Sequence, residues 1–312
     1  MDGSAPRYSS EASGATQPQR ACDLRSHDGI CRLTDSIVRV SDIAAFDLVY
    51  LEPASPAALE CFRLRAIGLT AAPIKDPTCL RYTTVSDLER TAGTVEQAAR
   101  PIPVDMIISS SASLSLLIER LEHAEFYFVY HDTGISAIVT RSDLQQPIVG
   151  MAVLGYIVGL EQALGVLIVD RLGPQWPDKL GAGARQTVES IYLERKRHGL
   201  ELGLLDCLSL SHRLNLAGRD PGLLSDLGFK TKNAYEATFV TPTIKMRNMI
   251  AHGSGLLASA ADPVIPIRHY SILRSVVRRA AELADAAVSR SGRRSNLQYT
   301  GSVITGLDRA DE

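Results

Sequence analysis

Leu114, Leu117, Ile118 and Leu121 recur three and four positions apart behind Ser113. That spacing predicts a helix over 113–123 with one apolar face and a serine cap. Two short apolar runs follow, Phe126–Tyr130 and Ile135–Val139, rich in aromatic and β-branched residues. They read as strands, and His131-Asp132-Thr133-Gly134 between them is a turn signal. A further helix is expected to start near Ser142. The order is helix, strand, turn, strand, helix, and it occurs twice. Thr140-Arg141-Ser142-Asp143-Leu144 closes the second copy. Thr84-Val85-Ser86-Asp87-Leu88 closes the first, 56 positions earlier. Recurrence at a fixed period is the signature of one supersecondary unit used twice.

From Val149 onward the texture changes and no strand is expected. Helical stretches are predicted at about 149–171, 184–198, 200–216, 232–252 and 268–289, the last burying Tyr270, Leu273, Val276 and Val277. Pro147 separates the two textures, and Gly253 stands where a helix stop is expected. Residues 148–169 are apolar all round apart from Glu161 and Gln162. The length approaches a membrane span, but a carboxylate inside it is expensive in lipid. A central bundle or dimer helix is the preferred reading, with no membrane. Residues 1–33 and 291–312 lack apolar periodicity and are expected to be a disordered leader and tail. The intervening stretches, 34–147 and 148–290, are the two expected domains, and 312 residues suffice for two cores.

Net charge is −2, so there is no overall basic field, and any nucleic-acid contact must come from a local patch. Aromatics are 5% of the chain, too few for a base-stacking platform. Cys22, Cys31, Cys61, Cys79 and Cys207 are odd in number and contain no C-x-x-C pair, so they read as free thiols in a reducing compartment. With no signal-peptide pattern, the expected location is the cytoplasm. P-loop, G-x-S-x-G and H-E-x-x-H patterns are absent from the sequence, which removes kinase, serine-hydrolase and zincin readings.

The candidate chemistry lies in Arg247-Asn248-Met249-Ile250-Ala251-His252, at the end of an apolar helix. Asn248 and His252, four apart, share a helix face, and Arg247 is rotated away from His252. Arg offers a planar fork for phosphate, and His carries protons near neutral pH. Glu161, a lone carboxylate in an apolar helix, needs a partner, and holding Arg247 or His252 is the chemical logic nearest to hand. Lys245 reads as a solvated position. The basic run Arg195-Lys196-Arg197-His198 reads as a complement to a helix C-terminus, with RNA guidance as the alternative.

The repeat motif resembles G-h-x-[ST]-x-[ST]-D of tandem CBS domains, with Ala137 and Arg81 at the two glycine positions. The resemblance covers about 35–147. It implies two β-α-β-β-α units and regulation by an adenine nucleotide (AMP, ADP or ATP). Ser86 and Ser142 would cap helices, Thr84 and Thr140 would donate hydroxyls, and Asp87 and Asp143 would bind the ribose, with 140–143 the better site. A helix cap that binds nothing stays open for each copy.

The string R-N-x-x-x-H resembles HEPN domains over about 149–290. The fold class implied is an α+β CBS pair followed by an all-α helical bundle. That resemblance implies a homodimeric, metal-independent endoribonuclease with Arg247, Asn248 and His252 as catalytic residues and Glu161 in support. Toxin-type relatives often place a tyrosine two residues beyond the histidine, where this chain has Ser254. The alternative is a non-catalytic, adenine-nucleotide-sensing dimerisation and binding module.

Overall fold

The computed structural model describes residues 26–75, 80–132, 134–257 and 261–292, without the side chains at 28, 30 and 31. Most of the expected leader, the expected tail from 293 onward, Cys22, Cys79 and the Cys31 side chain therefore lie outside the described residues. Cys61 and Cys207 are buried free thiols.

The second repeat contains the expected elements. Ser113 caps α5 (Leu114–Leu121), its hydroxyl accepting from the Leu116 amide at 3.3 Å. Leu114, Leu117, Ile118 and Leu121 are all buried, and each such side chain stabilises by roughly 1.5–3 kcal/mol. Strands β5 (Phe126–His131) and β6 (Gly134–Thr140) pair antiparallel, Phe126 opposite Thr140. Asp132 opens the turn at φ +50°, a conformation that Asp tolerates. Strand β4 (Ile107–Ser109) pairs parallel to β5, which gives strand, helix, strand, strand. The helix expected after it begins as a 3-10 turn, Arg141–Gln145.

The first repeat follows the same order in reduced form. Its leading strand is a single parallel bridge, Leu51 to Ile74. Helix α2 (Ala57–Ala66), strands β1 (Ala71–Pro73) and β2 (Arg81–Thr84) and helix α3 (Val85–Arg90) follow. After α4 (Val95–Ala98), strand β3 (Arg100–Pro101) pairs with the free edge of β2. The two sheets meet through Ala71, Tyr82, Phe126, Phe128 and Ile138, with Tyr82 edge-on to Phe126 and Phe128.

The caps differ from the sequence expectation. Thr84 and Thr140, not Ser86 and Ser142, occupy the N-cap positions. In each copy the aspartate three residues on accepts from the threonine amide, closing a capping box. Counting three residues back from a carboxylate identifies the cap better than choosing the nearest serine.

The helical half is built on α6 (Pro147–Leu172) and α12 (Val264–Gly292). Pro147 is the first residue of α6, where its missing N–H costs nothing. Between these helices lie α7 (Ala182–Arg197), α8 (Leu210–Ala217), α9 (Pro221–Asp226), α10 (Lys232–Tyr235) and α11 (Thr241–Ala251). Residues 200–209, expected to be helical, form a loop with a 3-10 turn at Leu204–Cys207, and α9 was not anticipated. The leader boundary also moves, because α1 (His27–Ile37) starts before residue 33 and packs on α6 and α12.

One apolar core runs across Pro147. It takes Leu117 and Leu121 of α5, Val129 and Val139 of the second sheet, Val153 and Leu160 of α6, and Leu273 and Val277 of α12. The chain is thus α+β, with small sheets and many helices, and the second repeat shares its interior with the helical half. Among the described residues, α6 alone is long and apolar enough to cross a membrane, with mean hydropathy 2.0; 61% of that window is buried inside the fold. That burial is compatible with the core helix of a soluble protein.

Candidate functional site

The motif helix is shaped by Pro242. Proline supplies no N–H and its ring crowds the carbonyl four residues back. The backbone widens into a π segment, Glu236–Val240, just before α11. The Thr238 carbonyl in that segment accepts a hydrogen bond from His269 of α12, and the other side of the His269 ring meets Thr243 Oγ1 at 3.1 Å. His269 is buried, and burial pulls its imidazole down to about 4, so it stays neutral. It anchors the start of α11 and has no access to solvent for chemistry.

At the other end, His252 caps α11, its amide donating to the Asn248 carbonyl at 3.1 Å. Gly253 follows at φ +78°. The Gly253 amide bonds the Ile250 carbonyl at 2.9 Å and the Ser254 amide bonds the Met249 carbonyl at 2.9 Å, which is a Schellman closure. Gly253 is there because only glycine adopts that backbone at no steric cost.

Arg247, Asn248 and His252 are all exposed. Arg247 Nη1 donates to Asn248 Oδ1 at 3.3 Å. The Asn248–His252 link is made through the backbone, and His252 has no side-chain hydrogen bond among the described residues.

Glu161 is half-buried on α6. Burial raises its carboxyl above the usual range, opposed by the positive charges of Arg213 and then Arg247. No Lys or Arg nitrogen reaches it within ion-pair distance among the described residues. Among the described residues no hydrogen bond or ion pair joins the Glu161 side chain to Arg247 or His252, and Arg247 is the weaker of the two positive charges that act on it. Gly150 of α6 abuts Ile250, and Glu161 lies eleven residues further along, about 16 Å of helix.

Arg213 was missed in the sequence. It sits on α8 with Gly165 of α6 directly beneath, where an added methyl would come within 2.6 Å of its Nη1. Its guanidinium bonds three backbone carbonyls, Glu161 at 2.8 Å, Leu205 at 3.0 Å and Leu208 at 3.4 Å. Burial lowers its pKa, against the pull of Glu161 and Asp206. A cation within an otherwise apolar helical run (Leu210, Leu214, Leu216) was the available signal.

Between α1 and α11, α6 keeps an uncovered strip. Thr34 of α1 touches Gly155 on one side and Ile250 touches Gly150 on the other. Met151 at 70% exposure and Val158 at 51% lie on that strip.

The repeat motifs are the second pair of candidate positions. Asp143 Oδ2 accepts from the Thr140 amide at 2.7 Å and from its hydroxyl at 3.0 Å. The Ser142 amide donates to Thr140 Oγ1 at 3.1 Å, and the Ser142 side chain is exposed. Asp87 Oδ2 likewise takes the Thr84 amide and hydroxyl, and additionally pairs with Arg100 at 3.1 Å. Ser86 is exposed. Arg81, at the glycine position, is held by Glu96 at 2.6 Å. Ala71 opposite Thr84 and Phe126 opposite Thr140 belong to the same inter-sheet cluster, so both junctions border one seam. Among the described residues no group of three His, Cys, Asp or Glu side chains is arranged to hold a metal ion.

No family model matches the chain, and no curated protein matches it. Among solved structures, an uncharacterized conserved protein from Pyrococcus horikoshii is similar at TM-score 0.31 and 16% identity, over 35% of this chain and 91% of that one. A likeness of that size carries no argument about fold or activity.

Proposed function

We propose that this protein is a nucleotide-regulated endoribonuclease that cleaves RNA without a metal and acts as a homodimer. The observation that carries the reading is Arg247: an exposed guanidinium bonded to Asn248, on the helix end that also carries the exposed His252, and one of the charges acting on the half-buried Glu161. The 2′-hydroxyl of one ribose would lose its proton and bond to the adjacent phosphorus. The bond from phosphorus to the next 5′-oxygen would break, that oxygen taking a proton, leaving a 2′,3′-cyclic phosphate and a 5′-hydroxyl. His252 transfers protons. Arg247 stabilises the charge that builds on phosphorus-bound oxygen. Asn248, already bonded to Arg247, orients that guanidinium or the phosphate, and Glu161 positions Arg247 from behind.

A second copy would cover the uncovered strip of α6. Covering Met151 and Val158 removes apolar surface from water. It would also bring two Arg247/His252 sets to one interface. The repeats resemble CBS domains, and on this reading an adenine nucleotide at Thr140, Ser142 and Asp143, and more weakly at Thr84, Ser86 and Asp87, sets the state of the bundle.

One observation favours a second reading. Asn248 Oδ1 is engaged within the chain, and His252 has no side-chain partner among the described residues to tune it. The helical half is then a non-catalytic dimerisation and binding module that senses the same nucleotide.

The test is bulk RNA incubated with purified protein in excess EDTA, wild type against His252→Ala and Arg247→Ala. Cleavage that each substitution lowers on the order of 100-fold supports the enzyme. Undiminished cleavage by His252→Ala, or loss of activity with chelator, overturns it. Light scattering at micromolar concentration reads the dimer directly.

A further inference from the structure

Beyond the C-terminal end of α6 lies a cleft of about 770 Å³ that plays no part in the reading above. Its walls are the end of α6, the turn before α7, the α8–α9 turn and the segment leading into α10. Five cations line it: Arg171, Lys179, Arg219, Lys230 and Lys232. The one lining acid is Asp220, whose Oδ1 is occupied in capping α9 through the Gly222 amide at 2.9 Å. Arg171 is paired with Asp226 and Lys232 with Glu236. Lys179, Arg219 and Lys230 make no ion pair among the described residues. In a chain of net charge −2, that convergence of free positive charge comes from the fold and not from composition.

The cleft also has an apolar floor, Leu172, Leu224 and Phe229. Phe229 is held edge-on to Tyr235 at 5.0 Å between centroids. Gly228, at φ +97° with the Arg279 guanidinium against it, makes the turn that presents Phe229 and Lys230. A narrower annex of about 140 Å³ continues past His212 and Asn215 and shares Lys179, Arg219 and Lys232. Cationic walls over an apolar floor in a space of this size suit a ligand with several phosphates and a flat apolar part.

We propose that this cleft binds the phosphates of a nucleotide-sized ligand, separately from the motif helix and from the repeat motifs. Arg171 lies ten residues, about 15 Å of helix, beyond Glu161. The phosphates can belong to a free nucleotide or to an RNA strand. The inference does not rest on the cleavage reading, and His252→Ala is expected to bind here as wild type does.

The test is calorimetric titration of the full chain with tripolyphosphate, ATP and a 2′-O-methyl uridine 12-mer, which cannot be cleaved. Wild type is compared with Lys179→Gln/Arg219→Gln/Lys230→Gln. All three side chains are exposed and unpaired, so the variant should melt as wild type does; Arg219→Lys, which keeps the charge, is the control for folding. Tripolyphosphate should bind wild type, bind Arg219→Lys within about threefold, and bind the triple variant at least tenfold more weakly. Binding of ATP without the 12-mer assigns the cleft to free nucleotides. Binding of the 12-mer, with a log–log salt slope shallower by about 2 in the triple variant, assigns it to an RNA backbone. No heat with any of the three probes, or equal affinity in wild type and triple variant, overturns the proposal.

Discussion

Arg274 Nη2 of α12 lies 3.4 Å from Asp35 Oδ2 of α1, a contact between residues 239 positions apart. It belongs to a polar network that runs from the half-buried Asp35 and Arg274 to the buried Ser115, Tyr156 and Tyr270. Ser115 of α5 and Tyr156 of α6 both donate to Asp35 Oδ1. Tyr270 of α12 shares the Ser115 hydroxyl at 2.8 Å, and Arg274 also grips Glu119 of α5. Burial, then the bond to Asp35, pushes the Tyr156 phenol up to about 12. The network ties the helix of the second repeat to the two long helices of the bundle. On the regulatory reading, this is the contact through which a ligand in the repeats would reach α6.

Asp35→Ala should therefore be among the most damaging single substitutions in the chain. It removes the acceptor of Ser115 and Tyr156 and takes one carboxylate from Arg274, which keeps Glu119. Stripping one partner from such a cluster costs on the order of 2–4 kcal/mol. Tyr156→Phe, which leaves Asp35 its other donors, should cost about 1 kcal/mol. Urea melts of the two variants give the order; equal loss in both contradicts the network.

His269 predicts an acid limb in stability. Its ordinary value is 6.5 and burial holds it near 4. Between those values the unfolded chain binds a proton that the folded chain refuses, so stability rises with pH through this window. The contribution is complete above about pH 6.5 and lost as pH falls toward 4. A shift of that size corresponds to roughly 3 kcal/mol. His269→Gln should flatten the window in melting curves recorded from pH 4 to 7, and an unchanged slope removes His269 as the cause.

Glu161→Gln separates position from stability. Burial raises the Glu161 carboxyl, so the folded chain holds its proton more tightly than the unfolded one. The sign is opposite to that of His269: stability falls as pH rises through the carboxylate range. Removing the charge should raise the melting temperature at pH 7, with the gain disappearing near pH 4. On the proposed mechanism the same variant should lower kcat, because Arg247 loses its electrostatic counterpart. A more stable protein with undiminished RNA cleavage frees Glu161 from the site.

The two repeat motifs should differ in affinity. In both, one aspartate oxygen is consumed by the capping box and the other faces no partner among the described residues. Asp87 additionally carries Arg100 on its cap oxygen. Asp143→Ala should therefore weaken binding of AMP, ADP or ATP more than Asp87→Ala, read by calorimetry with S-adenosylmethionine as a further probe. No heat from any of these leaves both motifs as helix caps.

Local rules carried a reader of the sequence a long way. Ser113 as a cap, the strand pair closed by Asp132, Pro147 at the first turn of α6 and Gly253 past the end of α11 each follow from neighbours within a few residues, where backbone geometry and side-chain period act directly. The candidate motif was visible for the same reason, since Arg247, Asn248 and His252 sit on one turn and a half of helix. The caps at Thr84 and Thr140 are equally local, because Asp87 and Asp143 close back on them from three residues on. Non-local packing set the rest. Residues from His27 became helix α1 because α6 and α12 offered a surface to bury it. Arg213 found its carbonyls on α6 and on the loop before α8, and Thr238 found His269 thirty-one positions away. A buried charge or an orphaned carbonyl must find a partner wherever the folded chain places one, and no periodicity in the sequence records where that is.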